Sequence, residues 1–98
     1  MDDELKKIVM VLKQLTEQAL NEYSALVNKI ILSETQDQMV IEHALDGLLD
    51  FCYDDNILIL YKKLCRYYYY INPSATVFYV NAYREMWDRD SDKSDELE

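Results

Sequence analysis

The chain has 98 residues, half of them hydrophobic, which is enough to close one small domain without disulfide or metal staples. One Gly and one Pro in the whole chain argue against a β-rich fold, which needs many turns. The net charge of −9 disfavours nonspecific binding to nucleic acid or to an anionic membrane, and it favours a basic partner instead.

The first predicted element is one long amphipathic helix. Apolar residues recur at helical spacing from Leu5 to Ile31, and Asp2 or Asp3 is available to cap the N-terminus. A helix of this extent is about 40 Å long at 1.5 Å per residue. It is therefore about twice as long as any element predicted later in the chain.

The length of the first helix raises the question of how it fits a small domain. It should either extend beyond the other helices or bend between Gln18 and Asn21. Its first turns follow nearly a heptad, although Glu22 interrupts the register at the next core position. One alternative function is therefore a helical scaffold that self-associates through this helix, whereas the chain as a whole slightly favours a monomer.

A second helix is predicted to begin near residue 34, because 33–36 and 35–38 each fit a capping box. Its buried stripe would run from Val40 to Cys52. Gly47 stands in the middle of this helix, where it costs up to about 1 kcal/mol relative to Ala. It is compatible either with a close approach between helices or with a bend.

Two further helices are predicted in the second half of the chain. A turn at 54–56 precedes the third, and Asn72 with Pro73 ends it and begins the fourth. Residues 75–83 carry enough β-branched and aromatic side chains for a strand. The Pro start and the lack of partner strands favour a helix there.

These elements predict an all-α fold. Short connections between helices favour sequential antiparallel neighbours, and hence a small antiparallel helical bundle of about four helices. We expect residues 1–87 to form this single domain. Residues 88–98 are acidic and have no hydrophobic period, so they are predicted to be a disordered tail.

Acidic side chains recur every four residues along the second predicted helix. Residues 33–61 hold seven Asp or Glu and no Lys or Arg. On one continuous helix this step would stack carboxylates on a single face, at a cost of a few tenths of a kcal/mol per pair. We call this set the acidic ridge; it consists of Glu42, Asp46, Asp50 and Asp54. It could be a solvated face, pair with basic residues of the third helix, or contact a basic partner.

Aromatic residues are the second unusual feature, since eleven of the twelve lie between Phe51 and Trp87. Four consecutive tyrosines cover all sides of a helix, so Tyr67 and Tyr70 should be at least partly exposed. They could fill the gaps of a thin bundle or anchor a protein interface. A third alternative is that they stack on single-stranded nucleic acid beside Lys62, Lys63 and Arg66.

The inventory of reactive residues argues against an enzyme, a metal site or a cofactor. The single histidine, His43, is predicted on the polar side of its helix, and no Gly-rich loop could hold phosphate. Cys52 and Cys65 fall at apolar positions, which is typical of reduced, buried thiols in the cytoplasm. The N-terminus is acidic, unlike a signal peptide, and the longest apolar run, 57–61, is too short to span a membrane.

The functional prediction is accordingly a non-enzymatic module that binds a protein. In composition the chain resembles, as a type, the immunity proteins, antitoxins and DNA mimics that block basic nucleases or other nucleic-acid-binding enzymes. That resemblance implies a basic partner, such as a nuclease or toxin domain, inhibited by the carboxylate-rich face. The predicted contact residues are Glu42, Asp46, Asp50, Asp54, Asp55, Tyr67 and Tyr70.

Overall fold

The computed structural model describes residues 2–88, which form four α-helices and no strand. The helices are α1 (Asp3–Leu32), α2 (Gln38–Leu49), α3 (Asp55–Tyr69) and α4 (Pro73–Trp87). The predicted all-α bundle with a long first helix is confirmed, and residues 75–83 are helical. Apart from Asp88, the predicted disordered tail lies outside the described residues.

Each helix begins at a residue whose side-chain oxygen accepts a hydrogen bond from a free backbone N–H of the first turn. The caps are Asp2, Asp37, Asp54 and Asn72. Pro73 occupies the first turn of α4, where its missing N–H costs nothing. Capping therefore accounts for three of the acidic residues that stand between the hydrophobic stripes.

The second helix begins later than the capping-box pattern predicts, because the preceding residues finish α1 instead. Glu34 adopts a left-handed conformation with φ 54°. Its N–H donates to the carbonyl of Ile31, and the N–H of Thr35 donates to that of Ile30, both at 3.2 Å. This is the double hydrogen bond of a Schellman motif. Residues 33–35 are thereby used as a C-cap, and Asp37 becomes the cap of α2.

The core is organised around α3, which packs against each of the other three helices, whereas the main neighbour of α4 is α3 alone. The two largest fully buried side chains, Tyr61 and Tyr68, both belong to α3. Cys52 and Cys65 are buried, free thiols, as predicted.

The first half of α1 extends beyond this core. Every residue from Asp3 to Leu15 is exposed, and the first buried residue of the helix is Thr16. Of the two alternatives left by the sequence, the structure therefore shows the extension. We call residues 3–15 the overhang and residues 16–88 the body. The radius of gyration is 15.5 Å, against about 13 Å for a compact domain of this size.

Gly47 marks a close approach between α1 and α2. A Cβ atom at this position would lie 1.9 Å from the hydroxyl oxygen of Tyr23 and 2.6 Å from its ring carbon Cζ. The missing side chain therefore makes the space into which Tyr23 packs. This close approach, rather than a bend, accounts for glycine in mid-helix.

Candidate functional site

The acidic ridge is not continuous in the structure, because the helix that would carry it ends at Leu49. Only Glu42 and Asp46 lie within α2. Asp50 is the residue that follows the helix, and Asp54 is the N-cap of α3. The predicted row of four carboxylates on one helix face is therefore wrong, since the four-residue step crosses a turn.

The two ridge carboxylates on α2 accept hydrogen bonds from tyrosines of the body. Tyr68 of α3 donates its hydroxyl to Glu42. Tyr79 of α4 donates to Asp46 at 2.9 Å. Hydrogen bonds to charged acceptors contribute about 1.5–3 kcal/mol each, more than neutral ones. Glu42 and Asp46 thus tie α2 to the two following helices, in addition to any role toward a partner.

Burial and these carboxylates both shift the tyrosine ionisation. Desolvation is the larger cause, and the hydrogen bond to Glu42 adds to it; together they raise the pKa of Tyr68 to about 12. The pKa of Tyr79 is raised for the same two reasons, with Asp46 as the partner. Both hydroxyls therefore remain donors throughout the physiological range.

The remaining acidic candidates surround the turn between α2 and α3. Asp50 and Asp55 are exposed, whereas Asp54 is half-buried and accepts the N–H groups of Asn56 and Ile57, both at 3.0 Å. Asp50 and Asp55 are consequently the predicted contact residues in this turn that remain open to solvent, although Asp55 also places a favourable negative charge in the first turn of α3.

The predicted tyrosine anchors differ from one another. Tyr70 exposes 87% of its surface. Tyr67 is half-buried, and its hydroxyl donates to the backbone carbonyl of Thr35 at 2.7 Å. Beside them, Lys63 donates to the side-chain amide oxygen of Asn28 at 3.1 Å. Tyr67 is therefore used to fix the α1–α2 connection, and of the two predicted anchors Tyr70 is the one with an open aromatic ring.

An exposed apolar surface that the predictions of contact residues missed lies on the overhang. Six aliphatic side chains there expose between 42% and 63% of their surface. We call them the overhang face; they are Leu5, Ile8, Val9, Val11, Leu12 and Leu15. Contiguous exposed apolar surface of this kind marks interaction sites on monomeric proteins.

The overhang face continues the core-facing side of the same helix. Leu5, Val9 and Leu12 repeat at the i, i+4, i+7 spacing that leads directly into Thr16, the first buried residue. In the body the same side of α1 carries Tyr23, which packs on the core cluster. The apolar stripe thus runs the length of α1, while the other helices cover only its second half.

A groove of about 370 Å³ lies where the overhang meets the body. Apolar side chains from α1, including Leu12 and Leu20, line one side of it, and Tyr53 from the α2–α3 turn lines the other. The Tyr53 hydroxyl lies 2.6 Å from that of Thr16. The apolar surface of the overhang is therefore continuous with an indentation of the body.

Other chemistry is sparse in the described part of the chain. No three or more His, Cys, Asp or Glu residues among 2–88 are grouped so as to hold a metal ion. Desolvation raises the pKa of Cys52 to about 12 and that of Cys65 to about 11, so neither thiol forms an appreciable thiolate near neutral pH. Within the same residues, no helix combines the length and apolarity required to cross a membrane.

Comparisons with protein-family models, with curated proteins and with solved structures gave no match to this chain.

Proposed function

We propose that this chain is a non-enzymatic protein-binding module whose main contact surface is the overhang face. The observation that carries the proposal is the continuity of the apolar stripe of α1, which the body covers only from Thr16 onward. A helix that is apolar on one side is stabilised chiefly by burying that side. The overhang has the apolar spacing of a helix that packs against others, but its own chain does not cover that side. A partner would cover it.

The size of the overhang face supports this proposal. Complete burial of a Leu, Ile or Val side chain stabilises by about 1.5–3 kcal/mol, and here about half of each side chain remains to be covered. Covering all six contributes on the order of 5–9 kcal/mol, and an equal partner surface doubles that gain. Since association costs about 4–15 kcal/mol, we expect an affinity near the micromolar range.

A site-specific photo-cross-linking experiment tests this proposal. A photoreactive amino acid is placed at Ile8 on the overhang face, or at Gln14 on the polar side of the same segment, in cells that express the chain. We expect a defined cross-linked product from position 8 and little from position 14. Leu12→Asp should abolish the product. Equal labelling from both positions, or none from either, would contradict the proposal.

A second proposal is that the acidic turn contacts a basic protein, as an inhibitor of a nuclease or toxin domain would. It is supported by seven acidic residues and no basic ones over 33–61, and by the exposure of Asp50 and Asp55. Association driven by such charges would be fast and sensitive to salt. The cytoplasm is the proposed location, which two free thiols support.

Reversing the charges of the acidic turn tests this second proposal separately from the first. The variant Asp50→Lys with Asp55→Lys keeps the N-cap Asp54 and the two tyrosine acceptors, so it should still fold, at a cost of about 1 kcal/mol or less for the positive charge in the first turn of α3. Its capture of a basic protein from lysate, and the release of that protein by salt, should both be lost. The control is Glu17→Lys with Glu22→Lys, which makes the same charge change on exposed positions of α1. Unchanged capture by the first variant would exclude the acidic turn.

A further inference from the structure

We propose that the partner of the overhang face is a second copy of this chain, bound antiparallel through the two overhangs about a two-fold axis near Met10. This inference rests on the proposed function of the overhang face and names its occupant. Three properties of α1 support it: how its apolar residues pair, where its charges lie, and how long the overhang is.

The apolar residues of the overhang pair with each other when the segment is reversed on itself. With the two-fold axis at the level of Met10, residues along the centre of the face pair with those whose numbers are equidistant from 10. Leu5 then meets Leu15 of the second copy, and Ile8 meets Leu12. Val9 and Val11 lie on opposite flanks of the face, and like flanks adjoin in an antiparallel pair, so each meets its own counterpart in the second copy. All six side chains of the overhang face are thereby used, in a heptad pattern with Leu5 and Leu12 at equivalent positions.

The distribution of charge favours contact between two copies at the overhang and disfavours contact between their bodies. The whole chain carries −9, so two bodies repel each other. Residues 2–15 are balanced instead, with three acidic and three basic side chains. The overhang is thus a neutral segment of a strongly acidic chain.

The same charges select the antiparallel orientation. A parallel pair would bring together the acidic first turns of both copies and the positive ends of both helix dipoles, and it would set the two bodies side by side. In the antiparallel pair, Asp2 and Glu4 lie opposite the uncharged Thr16 and Gln18 of the second copy. The bodies then occupy opposite ends of the pair, separated by more than a Debye length of about 8 Å.

The length of the overhang matches this pairing. With the axis at the level of Met10, Asp3 at the start of α1 is level with Glu17 of the second copy, and both project away from the paired faces. The body begins to cover α1 at Thr16, so the paired segment ends at the entrance of the groove beside Tyr53. A longer pairing would meet the body, and a shorter one would leave part of the overhang face exposed.

Sedimentation equilibrium of the purified chain, over about 1 to 300 μM, tests whether it forms dimers. We expect a reversible monomer–dimer equilibrium. Leu12→Asp places a carboxylate opposite Ile8 twice per dimer and should weaken association by at least about 100-fold. Gln14→Asp makes a change of equal charge on the polar side and should alter it by less than about 3-fold.

Thiol cross-linking with a short bifunctional reagent tests the orientation. Val9→Cys should cross-link to itself. Leu5→Cys alone should not, but an equal mixture of Leu5→Cys and Leu15→Cys should give a mixed product. Efficient self-cross-linking of Leu5→Cys would overturn the antiparallel arrangement. The unmodified chain, whose two thiols are buried, serves as the control.

The binding module and its pairing with a second copy are overturned by different results. A chain that stays monomeric at about 300 μM, while position 8 still cross-links another protein in cells, overturns the second copy and leaves the binding module standing. Absence of any product from position 8, in cells and in the purified chain, overturns both.

Discussion

The two halves of α1 share one apolar stripe but differ in what covers it. From Thr16 to Leu32 the stripe packs against α2 and α3, and from Asp3 to Leu15 it is exposed. The helix is unbroken and its apolar residues keep the same phase throughout. The difference between its halves therefore arises from the length of the other helices rather than from α1. Amphipathic spacing therefore predicts which side of a helix is to be covered, but not whether the same chain covers it.

The test with the largest expected effect truncates one isoleucine in each half of α1. Ile30 is 2% exposed and Ile8 is 63% exposed. Ile30→Ala should lower the free energy of unfolding by about 2–5 kcal/mol, because it leaves a cavity in the core. Ile8→Ala should lower it by less than about 1 kcal/mol at protein concentrations where the chain is monomeric. Urea titrations of both variants at low concentration measure the difference.

Protein concentration sharpens that result. If a second copy covers the overhang face, the effect of Ile8→Ala on the unfolding midpoint should grow as concentration rises, since association stabilises the folded chain by mass action. The effect of Ile30→Ala should change little. Equal costs at the two positions at every concentration would contradict the division of α1 into a covered and an uncovered half.

A second test concerns the contact that fixes the covered half to α2. Gly47→Ala improves helix propensity by about 1 kcal/mol but forces the ring of Tyr23 out of its place. We expect a net loss of about 1–3 kcal/mol in chemical unfolding. In a Tyr23→Ala background the space is free, so the same Gly47→Ala change should become stabilising. A loss of the same size in both backgrounds would show that Tyr23 is not the cause.

A third test uses the tyrosines that hold the body together. The pKa of Tyr68 is raised from 10.0 to about 12 in the folded chain, so folding favours its neutral form. Its contribution to stability is therefore fully present below pH 10 and is lost as pH rises toward 12. Unfolding free energies measured from about pH 8 to pH 11 should fall above pH 10.

The variant Tyr68→Phe isolates this contribution. It removes the donor from Glu42 and should cost about 1–3 kcal/mol near pH 8. Because the variant has one tyrosine fewer to ionise, the difference between it and the natural chain should narrow above pH 10. A difference that stays constant with pH would exclude Tyr68 as a source of the alkaline loss. Tyr70→Phe, on an exposed ring, is the matched control.

The elements of the fold could be predicted because they depend on local patterns. Helical spacing, acidic caps and the Asn72–Pro73 pair each act within a few residues, and they gave four helices in the right order. The start of α2 was misplaced because Ser33 to Thr35 suit both a helix start and a helix end. What decides for a helix end is that the backbone carbonyls of Ile30 and Ile31 accept hydrogen bonds from the N–H groups of Thr35 and Glu34.

The site was harder to predict because it depends on contacts between helices. The acidic ridge requires one unbroken helix, and its four-residue step continued by coincidence through a turn. Glu42 accepts a hydrogen bond from Tyr68 because α3 packs on α2. The spacing of residues along the chain does not predict that packing. A partial signal was present, however. Tyrosines at buried positions need acceptors, and this chain has carboxylates in excess.

The smallest test compares the two ends of α1. Glu34 holds a left-handed conformation that a side chain disfavours by about 1 kcal/mol or more, and glycine adopts it without that cost. Glu34→Gly should therefore stabilise the body by about 1 kcal/mol in urea titrations. Glu34→Ala removes the same charge but keeps the strain, so it should not stabilise.

The opposite end of α1 should respond differently. Asp2→Ala removes the cap that accepts the N–H of Leu5 at 3.0 Å, a loss of about 0.5–2 kcal/mol for the helix end. Because every residue of the overhang is exposed in the monomer, this loss should appear as fraying, seen as faster amide hydrogen exchange over the first turns. Global unfolding should barely change. A comparable fall in the stability of the body would mean that the two halves of α1 unfold as one unit, and that the overhang is already held by contacts within its own chain.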